Sequence, residues 1–209
     1  MAGGDSLRPG ADGRPRCWWA TASPEYVDYH DGEWGRPVLD DRGLYERLCL
    51  EAFQSGLSWL TILRKREAFR AAFSGFEIGR VAAFGQGDVK RLLADEGIVR
   101  NRAKIEATIE NGRAALRLGE SGESLSELIW SFRPARQAIP RLGSDLAATT
   151  KESVALAGEL KRRGFRFVGP STAYALMQAC GLVNDHLAGC AVRDEVEQER
   201  RRLAPPRGH

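Results

Sequence analysis

The sequence predicts an all-α protein, and three observations support this prediction. Apolar residues recur at spacings of three and four in several segments, as they do on one face of a helix. No run alternates apolar and polar residues for long enough to suggest a strand, and glycines separate the helical segments at short intervals. The chain has 209 residues, of which 43% are hydrophobic, so it can bury a core as one domain of two packed helical subdomains.

The first two predicted helices meet at a break of small residues. One helix begins near Asp40 and continues to the pair Ser55-Gly56. Ser58 is expected to cap the next helix, which ends near Gly75. The break therefore separates two helices that follow each other directly along the chain.

Capping residues mark the later helices. We predict a third helix that Asp88 opens and Gly97 ends, and a longer helix over residues 101–118. A Ser or Thr followed three residues later by Glu is typical of a capping box, and two pairs have this spacing: Ser124 with Glu127, and Thr149 with Glu152. Residues 133–148, which contain two prolines and a glycine, are predicted to form the loop between these two helix starts.

The ends of the chain differ in composition from its middle. Residues 1–15 are rich in Gly, Pro and Arg and predict a flexible extension, residues 16–193 form the single domain, and residues 194–209 are a charged, proline-containing tail. No apolar run reaches the length of a signal peptide or the roughly 20 residues of a membrane span, so we expect a cytoplasmic protein without membrane contact.

Charge and helix pattern restrict the partners. The formal net charge is only +3, so any contact with nucleic acid must be concentrated on one face. No heptad seam suggests a dimer helix, and we expect a monomer with no obligate protein partner. The four cysteines lack the dense spacing of a disulfide framework, and Cys49 and Cys180 are expected to be small buried hydrophobes.

Residues 153–181 predict two helices joined by a tight turn, a helix-hairpin-helix pattern. Gly169 would let a phosphate approach the backbone, and the N–H groups of Ser171 and Thr172 would point outward at a helix start, where anions bind. Such a hairpin holds a DNA backbone without reading its sequence. An ordinary pair of helices with a glycine turn explains this segment nearly as well.

Four side chains are candidates for recognition of a flat base. Glu51 can accept hydrogen bonds from an amine edge, and Trp59, about two helical turns further on, can stack on a ring. Tyr26 and Tyr29 lie in a second aromatic cluster earlier in the chain. Taken singly, each aromatic residue is more often part of a core, and a helical Glu is more often exposed.

Two cysteines and two histidines form a set with metal-ligand chemistry. Cys17 and His30 lie near the start, while His186 and Cys190 lie four apart near the end, as on one face of a helix. A Cys2His2 set fills the tetrahedral shell of zinc, so the site would be structural and would join the two ends of the domain. Spacing alone leaves a metal site and a set of packed core residues as open alternatives.

Together these segments resemble the bacterial 3-methyladenine DNA glycosylase I family, known as the Tag family. The resemblance extends over nearly the whole chain from Arg16 to Cys190. It rests on long, ordered matches at residues 17–18, 29–35, 56–59, 65–67, 164–169 and 177–186.

The resemblance implies a fold, a cofactor and a substrate. It implies a helix-hairpin-helix glycosylase with a structural Zn²⁺ on the four cysteines and histidines, and a base pocket of Glu51, Tyr26, Tyr29 and Trp59. Leu57, on the small-residue break, would wedge into the gap that a flipped base leaves. The expected partner is double-stranded DNA that contains N3-methylated adenine.

Three departures from related glycosylases refine the expected mechanism. Ser171 stands where lyase-type members present a lysine, so no Schiff base can form there. Asn184 stands where the superfamily places a catalytic aspartate. Asp185 is either a register-shifted substitute or, more simply, a residue that hydrogen-bonds or caps near the zinc-binding segment. The pair Ala52-Phe53 replaces Gly and a small or polar residue, a change that would reshape the pocket floor.

The implied activity is that of a monofunctional DNA-3-methyladenine glycosylase in base excision repair, with Glu51 as its catalytic carboxylate and no lyase activity. One rival is a non-enzymatic module that binds alkylated DNA, against which the intact pair of Glu51 and Trp59 speaks. A zinc-dependent nucleobase deaminase would need His-x-Glu and Pro-Cys-x-x-Cys elements, and the chain has neither.

Overall fold

The computed structural model describes residues 6–203, and the regular structure in that range is almost wholly helical, as predicted. Among the described residues, no helix is long and apolar enough to cross a membrane. The helices are α1 (Pro24–Gly32), α2 (Asp41–Gln54), α3 (Trp59–Ala72), α4 (Ile78–Ala82), α5 (Gln86–Ala94), α6 (Arg102–Glu120), α7 (Leu125–Trp130), α8 (Lys151–Arg162), α9 (Pro170–Ala179) and α10 (Arg193–Arg201).

Helix α2 is the centre of the core. It contacts α3, α6, α7 and α9, and nine of its fourteen residues are buried, around most of its circumference. Phe53 packs against Phe69 and Phe73 with ring centroids 4.6 and 5.9 Å away. Because α2 has so little solvent-facing surface, a polar residue in its last two turns must lie either in the core or at a cavity.

Most helix starts lie where capping residues predict them. The side chains of Asp40, Ser58 and Ser124 accept a hydrogen bond from the backbone N–H of the third residue of α2, α3 and α7, respectively. Ser124 also forms the predicted capping box with Glu127. Asn101 caps α6 in the same way.

Two helix starts differ from the prediction by one to three residues. The capping box of Thr149 and Glu152 is wrong, because Thr150 caps α8 and exchanges hydrogen bonds of 2.9 and 3.2 Å with Ser153. Two adjacent threonines offer the same signal, and the pairing is decided only by the path of the loop. Asp88 is the third residue of α5 rather than its first.

Both ends of the described chain pack onto the domain. The sequence predicts a flexible extension over 1–15, whereas residues 6–16 form a hairpin of β1 (Arg8–Pro9) and β2 (Pro15–Arg16) whose Pro15 carbonyl accepts the N–H of Ala191 at 2.8 Å. The predicted tail likewise contains α10, with Val196 buried. The rest of both predicted segments, residues 1–5 and 204–209, lies outside the described residues.

Candidate active site and metal centre

A cavity of about 300 Å³ lies among α1, α2, α3 and α9, and the four predicted base-binding side chains all line it. These are Tyr26 and Tyr29 from α1, Glu51 from the last turn of α2, and Trp59 from the first turn of α3. Residues far apart in sequence therefore meet at one site that is lined largely by aromatic rings.

The break between α2 and α3 lets Glu51 and Trp59 face the same cavity. Gly56 has a φ of +83°, a left-handed conformation that favours glycine, and the chain reverses there. Lys104, from α6, donates from its Nζ to the carbonyl oxygens of Phe53 and Ser55 at 2.9 and 2.6 Å, and so holds the C-terminal end of α2. Leu57 lies on this turn with 42% of its surface exposed.

Glu51 is a buried carboxyl group beside the cavity. It is 6% exposed, and among the described residues no donor forms a hydrogen bond with it. Burial raises the pKa of Glu51 to about 8, and the positive charge of Arg47 offsets this only in part. Burial therefore favours the protonated carboxyl group of Glu51 at neutral pH, which differs from the ordinary state of a glutamate.

The aromatic residues have two roles. The Tyr26 hydroxyl accepts a hydrogen bond of 3.0 Å from the N–H of Leu60, so this tyrosine also holds the start of α3 in place. Tyr29 packs against Trp59 with ring centroids 5.4 Å apart. The indole Nε1 of Trp59 is buried and has no hydrogen-bond partner among the described residues.

Seven further residues, which were not predicted from the sequence, complete the described cavity wall. The missed residues are Trp18, Trp19, Trp34, Gln54, Leu146, Ala175 and Gln178. Trp19 packs edge-on against Trp34, with centroids 5.0 Å apart. The two tryptophans that follow Cys17 were a usable signal, because bulky aromatic side chains next to a candidate ligand are expected to pack against neighbouring elements.

Gln178 is oriented by Asp185. The Asp185 carboxylate is buried and accepts from Gln178 Nε2, the Tyr174 hydroxyl and Gln137 Nε2 at 2.7, 2.7 and 2.5 Å. A buried carboxylate that accepts three hydrogen bonds has a structural role, and Asp185 does not line the cavity. The structure therefore gives no support to Asp185 as a substitute for the missing catalytic aspartate.

The pair Ala52-Phe53 does not form the cavity floor. Both side chains are buried, Phe53 fully and within the main core, and neither lines the cavity. The pair is therefore not part of the cavity surface, and any effect on the pocket acts through packing beneath it. Successive residues on a helix point in different directions, and only Glu51 of this run faces the cavity.

Helices α8 and α9 pack against each other and are joined by the predicted tight turn. The side-chain amide of Asn111 holds this turn, accepting from Arg166 N at 2.7 Å and donating to Arg166 O at 3.2 Å. A Cβ on Gly169 would meet nothing within 4 Å, so packing inside the protein does not require glycine there. Ser171 is exposed and Thr172 half-buried at the start of α9.

The predicted metal set converges at one point. Cys17, His30, His186 and Cys190 are all buried, and their ligand atoms lie within 4.8 Å of one another. His30 Nε2 lies 3.1 Å from His186 Nδ1, and Cys190 Sγ lies 3.5 and 3.6 Å from these nitrogens. A tetrahedral zinc ion requires about 3.4 Å between two nitrogens and about 3.6 Å between nitrogen and sulfur, so the residues fit the ion.

Neighbouring groups prepare the four side chains for a cation. Hydrogen bonding from the Cys17 thiol and from the imidazoles of His186 and His30 holds the pKa of Cys190 well below its usual range. Burial lowers the pKa of His186, which favours the neutral imidazole that binds metals. The second ring nitrogens are also occupied, His30 Nδ1 by Asp31 at 2.7 Å and His186 Nε2 by the Trp34 carbonyl at 3.0 Å.

The spacing of His186 and Cys190 suggests one helical face, but the two residues do not lie in a helix. They lie in the loop between α9 and α10, where Gly189 turns the chain with a φ of +85°. The other two cysteines are buried, as predicted, and burial raises the pKa of Cys49 and of Cys180 to about 12. Neither belongs to the cluster.

Known proteins share this fold. The chain is similar to a crystal structure of 3-methyladenine DNA glycosylase I, with a TM-score of 0.82 and 48% identity over 84% of this chain and 98% of that one. A structure described as the basis of 3-methyladenine recognition by the Staphylococcus aureus glycosylase has a TM-score of 0.80 and 35% identity, covering 84% and 94% of the two chains. The fold and site thus define the class of helical DNA glycosylases.

The sequence comparison identifies the family within that class. The methyladenine glycosylase family model matches residues 19–194, and the chain belongs to this family. It is 47% identical to DNA-3-methyladenine glycosylase 1 of Escherichia coli K12 over 84% of this chain and 95% of that protein. It is 44% identical to the DNA-3-methyladenine glycosylase of Haemophilus influenzae over 84% of this chain and 96% of that protein.

Proposed function

We propose that this protein is a monofunctional DNA-3-methyladenine glycosylase of base excision repair. It flips N3-methylated adenine out of duplex DNA and hydrolyses the N-glycosidic bond, leaving an abasic site. The observation that carries the proposal is the buried, unpartnered Glu51 in a cavity lined by aromatic rings. The similarity to the two bacterial glycosylases supports it.

Glu51 is matched to a cationic base. Methylation at N3 places a positive charge on adenine, which makes the base a good leaving group and reduces the need for acid or base catalysis. The cation and its amine hydrogens favour the ionised carboxylate, so Glu51, whose pKa burial raises to about 8, releases its proton to solvent when the base binds. A guanine base presents a carbonyl oxygen at the corresponding edge and gains no such hydrogen bond.

Stacking supplies the remaining selectivity for a flipped base. Trp59 and Tyr29 present ring faces on one side of the cavity, and stacking is worth about 1 to 3 kcal/mol for each base. This energy offsets the few kcal/mol needed to extrude the nucleotide from the duplex. Glu51 is the catalytic residue, and Tyr26, Tyr29 and Trp59 bind the base.

The absence of lyase chemistry follows from the cavity lining. Among residues 6–203, no lysine lines the cavity, and Lys104 is engaged by two backbone carbonyls. Ser171 offers no amine at the hairpin. Water is therefore the final nucleophile, and the sugar–phosphate backbone remains intact after the base has left.

The DNA-binding face combines Leu57 with the hairpin between α8 and α9. Leu57 is exposed on the turn beside the cavity, in position to fill the gap left by the base. The open space beside Gly169 lets a phosphate reach the backbone N–H groups of Ser171 and Thr172. One protomer presents both elements to duplex DNA, so we propose that the enzyme acts as a monomer, in the cytoplasm.

The cysteine and histidine cluster holds a structural Zn²⁺. Four protein ligands leave no open coordination position, so the ion supplies folding energy and no water activation. These ligands would join the segment before α1, and α1 itself, to the loop after α9.

A nicking assay tests the proposed activity. The protein is incubated with alkylated duplex DNA, and strand breaks are counted before and after treatment with alkali, which cleaves abasic sites. We expect breaks only after alkali, and none with unalkylated DNA. Breaks without alkali would contradict the monofunctional mechanism, and no breaks under either condition would contradict the glycosylase proposal itself.

A further inference from the structure

A second cavity, of about 260 Å³, lies between the loop that follows α7 and helix α10. Five arginines line it, namely Arg133, Arg136, Arg193, Arg200 and Arg201. Two carboxylates, Asp194 and Glu197, share the lining, which leaves a formal charge of +3 around one small space. The family match ends at residue 194, so most of α10 lies beyond it.

The positive charge in this cavity is only partly neutralised. Glu197 is already engaged by Arg200 at 2.7 Å and by Arg201 at 3.3 Å. Within residues 6–203, no carboxylate forms an ion pair with the three remaining guanidinium groups, which belong to Arg133, Arg136 and Arg193. Arg193 instead donates to the backbone carbonyls of Asn184 and His186.

The arginines also repel one another. Burial lowers the pKa of Arg200; the carboxylate of Glu197 opposes this shift, while the charges of Arg133 and Arg193 add to it. Arg133 donates from Nη2 to the Arg200 carbonyl at 3.1 Å, while its Nη1 is buried without a partner in the described part of the chain. A buried guanidinium N–H without an acceptor is costly, and an anion would both accept from it and reduce the repulsion.

We propose that this cavity binds a phosphate group. Guanidinium groups present planar pairs of N–H donors that match phosphate oxygens, and several arginines around one concave site are typical of phosphate recognition. The volume is sufficient for one phosphate with bridging waters, each of which occupies about 30 Å³. The phosphate comes either from the backbone of bound DNA or from a free phosphate compound.

Binding of inorganic phosphate to the full-length protein tests the site. The thermal unfolding midpoint is measured in phosphate and in sodium chloride of equal ionic strength, for wild type, Arg133→Gln, Arg136→Gln and Arg80→Gln. Arg136 is exposed and forms no hydrogen bond with any residue in the range 6–203, so its variant should fold. Arg80 is an exposed arginine on α4, far from this cavity in sequence and outside its lining, and serves as the matched control.

We expect phosphate to raise the midpoint of wild type and Arg80→Gln by about 3 °C or more above the chloride value. Calorimetric titration should show about tenfold weaker phosphate binding by Arg136→Gln and Arg133→Gln, since each loses a charge-assisted hydrogen bond. An equal rise in all four proteins, or no rise in wild type, would overturn the proposal.

A competition experiment then separates the two sources of phosphate. The affinity for an undamaged DNA duplex is measured for wild type and Arg136→Gln, with and without inorganic phosphate at constant ionic strength. If DNA supplies the phosphate, the variant binds the duplex about tenfold more weakly and phosphate competes with DNA for wild type. If a free phosphate compound is the ligand, duplex affinity is the same in both proteins.

Discussion

Glu51 is the residue at which folding and the proposed function conflict. Its neighbours along α2 are core residues, and burial of a carboxyl group without a partner is unfavourable once the group ionises. Glu46, five residues earlier on the same helix, is also buried but is paired with Arg70 at 2.7 Å. The contrast indicates that Glu51 is kept unpaired for a ligand rather than for stability.

Replacing Glu51 should stabilise the protein in a pH-dependent way. The folded pKa of about 8 lies above the ordinary glutamate value of 4.5, so the folded state binds the proton more tightly than the unfolded state. The stability associated with this proton is therefore complete below about pH 4.5 and is lost as the pH rises to 8. We expect Glu51→Gln to match wild type near pH 5 and to exceed it by roughly 3 to 5 kcal/mol near pH 9.

Denaturant unfolding at both pH values measures this difference. Glu46→Gln is the matched control, because it removes a buried carboxylate that has an arginine partner and should not gain stability at high pH. If Glu51→Gln were no more stable than wild type at pH 9, the buried and unpartnered state of Glu51 would be refuted.

At the scale of elements, the cysteine and histidine cluster connects distant parts of the chain. Cys17 precedes α1 and His30 lies in its last turn, while His186 and Cys190 follow α9. Asp31 links the cluster to the N-terminal hairpin, since it accepts from Arg16 at 2.7 Å as well as from His30. Loss of a metal at this point would free both ends of the domain together.

Removal of the proposed zinc should therefore lower stability. We expect the purified protein to contain equimolar zinc. Chelation should lower the unfolding midpoint by about 10 °C or more, which corresponds to a loss of several kcal/mol in the free energy of unfolding. Cys17→Ala should contain no zinc, whereas Cys180→Ala, which removes a buried cysteine outside the cluster, should retain it. Zinc retained by Cys17→Ala would contradict the ligand set.

Local signals predict the elements better than their ends. Asp40 and Ser58 start helices because a side-chain oxygen at that position satisfies a free backbone N–H, an interaction confined to four residues. The same rule misplaces the start of α8, where Thr149 and Thr150 compete. The spacing of His186 and Cys190 predicts a helical face, but a metal site requires only convergence, which a loop also provides.

At the scale of the molecule, the sequence predicts which residues matter better than it predicts their environment. Glu51, Trp59, Tyr26 and Tyr29 were identified by chemistry, and the structure places all four around one cavity. Trp19 and Gln178 were missed, because their roles depend on packing between α1, α2 and α9. The arginine-lined cavity depends in the same way on the position of α10, which spacing along the chain does not reveal.

The most direct test is to identify the bases released from methylated duplex DNA by chromatography, using wild type, Glu51→Gln and Trp59→Ala in parallel. We expect wild type to release 3-methyladenine and both variants to release it about tenfold more slowly or worse, because each loses a contact worth about 1.4 kcal/mol or more in the transition state. A folded wild-type protein that releases no base, or variants that release it as fast as wild type, would contradict the proposed function.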